Sequence, residues 1–282
     1  MAIPIGVYDS GYGGLSVLRH LRTALPDHDF VYFGDSGRAP YGGRDVYTVL
    51  DFAEQSVELL LSEGCQLVIV ACHTVSCVAL RHLQQRYAQP GSGCRVLGVT
   101  IPGAELAVSM SEGHIGVLAT ERTVSSGTWG AEISKLGSHR VSQRPASLLA
   151  PIVEEGWEDT ELAELAVQRY LAELGDVDTV VLGCTHYPLL QRAFGRVSRA
   201  RVLDPAPYVA ERLVGWLGRH PGYAEVGTGE LRVLCSGSPG RFAAQASRFL
   251  GHPLRAVEHV RLIDARLERR QADSSPTGQI TR

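Results

Sequence analysis

Val68-Ile69-Val70-Ala71-Cys72-His73-Thr74 and Val180-Val181-Leu182-Gly183-Cys184-Thr185-His186 decide how this chain is read. Each is a short β-branched, apolar run that stops at a cysteine and turns polar at once. That is the pattern of a strand buried on both faces whose carboxyl end opens onto a loop. The cysteines stand 112 positions apart, and a second pair of strings, Ile5-Gly6-Val7-Tyr8-Asp9-Ser10 and Ile115-Gly116-Val117-Leu118-Ala119-Thr120, repeats at an offset of 110. Two independent pairs at nearly one offset favour an internal duplication over the competing reading, that buried strands simply resemble one another.

Further strand-like runs lie at 30–33, 96–99, 202–203 and 231–234, alternating with amphipathic stretches at 15–25, 46–61, 75–87, 162–174, 209–217 and 242–250. The alternation predicts an α/β protein: two similar doubly wound, mainly parallel-sheet domains related by pseudo-twofold symmetry, with the site between them. A length of 282 residues with 44% apolar residues suffices for two such cores.

Composition narrows the chemistry. Twenty-seven basic against 30 acidic side chains leave a net charge of −3, so nothing global draws the chain to nucleic acid or an anionic membrane. The longest apolar run, Leu67 to Cys72, is too short to span a bilayer, and Met-Ala-Ile-Pro does not begin a signal sequence, so a cytoplasmic location is expected. The one lysine, Lys135, lies in a polar segment and is a poor Schiff-base candidate. Six irregularly spaced cysteines with no C-x-x-C pair disfavour a disulfide framework, a zinc ribbon and a thioredoxin motif. Gly11-Tyr12-Gly13-Gly14 has Ser16 where a dinucleotide fingerprint needs its third glycine, and no phosphate-loop lysine follows; these glycines instead let backbone approach a small ligand.

Ligands of open parallel sheets bind beyond the carboxyl ends of the strands, where Cys72 and Cys184 both fall. A single cysteine there is ordinarily a small buried hydrophobe. Two at duplicated positions, each with a helix start following, suggest reactive thiols instead.

The motifs also carry a family resemblance. Residues 5–18 (IGVYDSGYGGLSVL), Tyr32-Phe33-Gly34-Asp35 leading to Pro40-Tyr41-Gly42, residues 68–76 (VIVACHTVS), residues 183–190 (GCTHYPLL) and Gly237-Ser238-Pro239 leading to Arg241-Phe242 are similar, in this order, to the glutamate racemases of the aspartate/glutamate racemase family. The match spans residues 3 to about 255. The resemblance implies a cofactor-independent enzyme, with no metal, that interconverts L- and D-glutamate and supplies D-glutamate for peptidoglycan synthesis, commonly as a homodimer. It makes Cys72 and Cys184 the acid/base pair, assisted by Asp9, His186 and Glu154, with Glu155 the rival of Glu154. It implies substrate contacts from Asp9, Ser10, Tyr41, Gly42, His73, Thr74, Thr120, Thr123, Thr185 and His186. Chemistry supports the pairing independently, because inverting a stereocentre through a planar carbanion needs an acid and a base on opposite faces. The duplication and the family pattern together divide the chain into 1–98 plus 208–270 and 99–207, with 271–282 a flexible tail.

One position departs from the pattern: His73 stands where the family has Asn, in a chain with no asparagine. Either a cationic His73 acidifies Cys72 or binds a carboxylate, or the change is a neutral replacement. Two other functions compete. One is an aspartate or other amino-acid racemase of the same family. The other is a zinc module built from Cys72, His73, Cys184 and His186, disfavoured because adjacent ligands diverge from a strand end.

Overall fold

Strands form where the β-branched runs lie. In the computed structural model, whose described residues are 2–263 and 266–269, the order is β1 (Ile5–Asp9), α1 (Leu15–Ala24), β2 (Phe30–Gly34), α2 (Val46–Ser62), β3 (Leu67–Val70), α3 (His73–Val78), α4 (Leu80–Tyr87), β4 (Arg95–Gly98) and α5 (Thr100–Met110). There follow β5 (His114–Ala119), α6 (Glu121–Ser125), α7 (Thr128–Leu136), β6 (Arg140–Pro145), α8 (Leu149–Glu154), α9 (Glu161–Leu174) and β7 (Thr179–Gly183). The last elements are α10 (Gln191–Val197), β8 (Arg201–Leu203), α11 (Ala206–Arg219), β9 (Leu231–Cys235), α12 (Pro239–Leu250), β10 (Glu258–Ile263) and β11 (Arg266–Arg269). The expected tail at 271–282 lies outside the described residues.

Two sheets result, one ordered β11-β10-β9-β2-β1-β3-β4 and the other β6-β5-β7-β8. Among the described strands every pairing is parallel except β10 with β11. The duplication read from short strings therefore extends to topology: β2-β1-β3-β4 and β6-β5-β7-β8 are the same arrangement. In each, the chain leaves the first strand for one neighbour and returns on the other side, which opens a crevice at the carboxyl ends of β1/β3 and of β5/β7.

Strand alternation sends side chains to both faces of each sheet. Ile5, Val7, Leu67 and Ile69 enter one apolar cluster, while Tyr8, Val68 and Val70 enter another with Val49, Val57 and Leu60 of α2. In the second sheet Leu118, Val180 and Leu182 join the first of these clusters, and Ile115, Val117 and Val181 pack with Trp129 and Ile133 of α7. One core thus runs through both lobes, each buried aliphatic side chain contributing about 1.5–3 kcal/mol before chain entropy is counted. Among the described residues no helix is long and apolar enough to cross a membrane.

The sequence pattern missed β6, β10 and β11. These segments each carry arginine and bury few side chains, and β6 and β11 are edge strands, so backbone pairing forms them without an apolar run. It also missed α5, whose small and apolar residues do not segregate to one side, and the short helices α6, α7 and α8, whereas the helix start expected after Cys184 is met by a 3-10 turn at Tyr187–Leu190 that leads into α10. The helix expected at 75–87 is two helices that meet at Ala79.

Candidate active site

Cys72 lies one residue beyond the end of β3 and immediately precedes α3, and Cys184 directly follows β7. The thiols are 5% and 8% exposed. Asp9, whose carboxylate bears on Cys72, accepts a hydrogen bond from Thr185, the chain neighbour of Cys184, and so links the two surroundings. Burial first, then the carboxylate of Asp9, pushes the Cys72 thiol up to about 12, against a hydrogen bond from its sulfur to Ser10 Oγ at 3.4 Å. At rest Cys72 keeps its proton.

Cys184 has different company. Its sulfur lies 3.8 Å from Nδ1 of His186, whose Nε2 is 3.1 Å from Glu154 Oε1. Burial opposes a charge on His186, yet its bonds to Cys184 and Glu154 carry it up to about 10. The bond to His186 also holds the Glu154 carboxyl below its usual range. An imidazolium therefore stands beside this thiol and supplies the counter-charge for a thiolate. Glu155, the rival carboxylate, is exposed at the end of α8.

Asp9 is fully buried at the carboxyl end of β1. It accepts from the Gly11 amide at 2.9 Å and from Thr185 Oγ1 at 3.5 Å. Burial raises its pKa, with His186 opposing. Asp9 thus looks across to the second lobe, and the hydrogen-bond partner of Cys72 is Ser10. Ser16 Oγ adds a second crossing, to the Thr185 carbonyl at 3.2 Å.

Three hydroxyls converge on the other side of the site. Thr74 Oγ1 is 3.0 Å from Thr120 Oγ1 and 3.3 Å from Thr123 Oγ1, and the latter two are 2.8 Å apart. Thr120 caps α6, accepting from the Thr123 amide, so its position follows from helix start chemistry. Hydroxyls bonded mainly to one another can redirect their donors to a carboxylate. The Gly42 carbonyl accepts from the Arg122 amide at 2.9 Å, which places the 41–42 backbone against the second lobe.

The Tyr41 hydroxyl donates to Asp35 and accepts from Tyr8 at 3.2 Å within the first lobe's core, because a buried phenol must find partners and the carboxylate of Asp35 lies there, which leaves the backbone of this residue to face the second lobe. Of the two readings of His73, the cationic one fails. The imidazole is buried, stacks on Trp129 at 5.8 Å, has no hydrogen-bond partner at Nδ1 among the described residues, and is pushed by desolvation down to about 3. It is neutral at ordinary pH and does not acidify Cys72. Nor is the zinc module assembled: no group of three or more His, Cys, Asp or Glu among the described residues is arranged to hold a metal ion.

Sequence reasoning missed the residues of α12 that reach this site. Phe249 sets its ring edge-on to His186 at 5.2 Å, and Gln245 and Arg248 bond to the end of α8. Only the amphipathic pattern of α12 was legible, and that says nothing of a partner about 90 positions away.

Fold and site together define a two-lobed α/β protein with one buried thiol from each lobe, in unlike acid and base surroundings, beside the hydrogen bonds that cross between the lobes. The chain belongs to the Asp/Glu/Hydantoin racemase family, whose pattern it matches over residues 14–213. It is 39% identical over 272 residues to the glutamate racemase of Desulforudis audaxviator, covering 92% of this chain and 98% of that one. Its fold matches the crystal structure of glutamate racemase from Francisella tularensis in complex with D-glutamate, with a TM-score of 0.84 at 29% identity over 92% of this chain and 97% of that one. The glutamate racemase of Thermus thermophilus in complex with β-chloro-D-alanine gives a TM-score of 0.82 at 36% identity, with the same coverage.

Proposed function

We propose that this protein racemises glutamate without a cofactor, Cys72 and Cys184 acting from opposite faces of the substrate α-carbon. One observation carries the reading: the thiols follow equivalent strands of a duplicated fold where Asp9 and Ser16 of one lobe bond Thr185 of the other, and their neighbours differ. In the resting form Cys184, paired with the His186 imidazolium, takes the α-proton, and Cys72, held as a thiol, returns one to the other face. The reverse direction uses the opposite protonation states.

Ser10 and the Thr74, Thr120 and Thr123 hydroxyls bind the substrate carboxylates with the backbone of Tyr41, Gly42 and Thr185, while Asp9, His186 and Glu154 assist proton movement. His73 contributes no charge. Both sulfurs are nearly inaccessible, so substrate enters as the lobes, 1–98 with 208–270 and 99–207, part along the Thr185 and Thr120 contacts. Closure then excludes water from a carbanion. The enzyme supplies D-glutamate for peptidoglycan in the cytoplasm as a homodimer, and light scattering checks the assembly.

The test is incubation of L-glutamate, D-glutamate and both aspartates in D₂O without added cofactor, following α-hydrogen exchange and optical rotation. Loss of rotation with exchange for both glutamate enantiomers is expected. Exchange confined to aspartate would replace the substrate, and no exchange with any of the four would refute the reaction.

A further inference from the structure

The end of α8, which carries Glu154, is gripped by a helix of the other lobe. Arg248 of α12 directs Nη2 to the Val153 carbonyl at 2.6 Å and to Glu158 Oε1 at 2.6 Å, while its Nη1 bonds Gln245 Oε1 at 2.9 Å. Gln245 in turn donates to the Glu154 carbonyl at 3.2 Å. The helix α12 is itself seated on the first lobe, with Phe242 against Tyr12 and Tyr32 at ring distances of 5.4 and 6.3 Å. A planar guanidinium with several donors suits this task, since it adds a bond to a helix-end carbonyl that also accepts from the Gly156 amide, and pairs with a carboxylate at once.

We propose that Arg248 is a positioning residue, an inter-lobe latch that aims the Glu154 carboxylate at His186 and so assembles the Glu154–His186–Cys184 chain only when the lobes are closed. The inference rests on the racemase reading and deepens it. Two carbonyls of the turn that bears Glu154, those of residues 153 and 154, are held by α12, and Phe249 of the same helix braces His186. Closure and the charge arrangement at Cys184 then depend on the same few side chains.

The groups that face His186 are Cys184 from its own loop, Glu154 from α8 and Asp9 from β1, and Glu154 also faces Arg241 and Tyr12 of the first lobe. Arg248 is not among them and would act through Glu154. Without the latch His186 loses part of its carboxylate support, so its imidazolium gives up its proton at lower pH.

The experiment compares Arg248→Ala, Arg248→Lys, Glu154→Gln and the Arg248→Ala/Glu154→Gln double variant by the pH profile of kcat/KM. L- and D-glutamate are mirror images, so their equilibrium constant is one and kcat/KM must be equal in both directions; the latch is therefore read in the profile and not in directional bias. Arg248→Ala is expected to lower kcat/KM about ten- to a hundredfold and to move the alkaline limb down by about one pH unit. Arg248→Lys should recover part of both, and the double variant should be no worse than Glu154→Gln alone. An unmoved limb, or losses that multiply in the double variant, would overturn the proposal. If Arg248→Ala does not fold, Arg248→Lys and Glu158→Gln carry the same two readouts. Inactivity of the wild type toward glutamate would refute the racemase reading instead. The latch is then judged by the pH midpoint of Cys184 carbamidomethylation, followed by peptide mass spectrometry. That midpoint should rise in Arg248→Ala, and an unchanged midpoint would overturn the latch.

Discussion

Cys184 and His186 stand with sulfur and Nδ1 3.8 Å apart, and the duplicated partner of this thiol, Cys72, has a serine hydroxyl as its hydrogen-bond partner instead. The scaffold is symmetric and the surroundings are not. One thiol is supplied with a positive counter-charge, the other with burial and a negative neighbour, so a repeated scaffold carries two unlike electrostatic surroundings. A planar carbanion needs that difference, since one face must hold a base while the other holds an acid.

The imidazolium of His186 should govern the alkaline side of the rate profile. Burial works against its charge, but Cys184 and Glu154 carry it up to about 10, below the value near 12 reached by Cys72. Activity should therefore fall as pH rises through about 10. His186→Gln should cut kcat/KM by about a hundredfold or more and remove that limb. Circular dichroism of glutamate from pH 6 to 11 measures both, and a variant keeping the limb would assign it elsewhere.

Cys72→Ser and Cys184→Ser should each retain less than about one percent of racemisation, because a hydroxyl is a far weaker acid than a thiol and its anion is not populated at neutral pH. Both sites tolerate the smaller oxygen, so thermal midpoints should stay close to that of the parent. Near-full activity in either variant would remove the two-thiol assignment.

His73 is a stability residue with a definite pH signature. Its folded pKa, lowered by desolvation to about 3, lies under the ordinary value of 6.5, so the unfolded chain binds the extra proton between these limits. Stability is fully present above pH 6.5 and is lost as pH falls toward 3, at up to about 1.4 kcal/mol per pH unit. His73→Asn should flatten this acid dependence in urea melts while leaving the acid limb of kcat/KM in place. A displaced kinetic limb would restore a charge role for His73.

Glycines mark where the lobes touch. A methyl on Gly13 would lie 2.2 Å from Thr185 Oγ1 and 2.7 Å from His186 Nδ1, and one on Gly42 would lie 2.8 Å from Thr120 Cβ, whereas Gly43 has nothing within 4 Å. Gly13→Ala and Gly42→Ala should each cost about 1–3 kcal/mol of the closed form, seen as at least a tenfold drop in kcat/KM. Gly43→Ala should remain within about 0.5 kcal/mol of the parent. Equal effects at 42 and 43 would mean that the lobes do not close on this loop.

Much of this molecule was legible before any coordinates. The two cysteine-terminated runs became β3 and β7, the paired strings became β1 and β5, and the alternation of apolar runs with amphipathic stretches became two parallel sheets. Those features are legible because a strand covered on both faces must be apolar throughout, and a surface helix must be apolar on one side. What escaped was held together by pairing with a neighbour. Strand β6, with two arginines and a glutamine in six residues, is the duplicate of β2, yet it is defined by its ladder with β5.

The order of residues by itself determined the duplicated α/β plan and the chemical kind of the site, because strand burial, strand ends and loop polarity are local properties. Which atoms meet was decided by tertiary structure. The neutrality of His73 comes from its burial beside Trp129, the commitment of Tyr41 from Asp35, the bond of Glu154 rather than Glu155 to His186 from the placement of α8, and the bonds of Arg248 to the end of α8 from the packing of α12 on it. Charge state and hydrogen bonding depend on distances between groups, most of them tens of residues apart along the chain, and such distances exist only once the chain has packed.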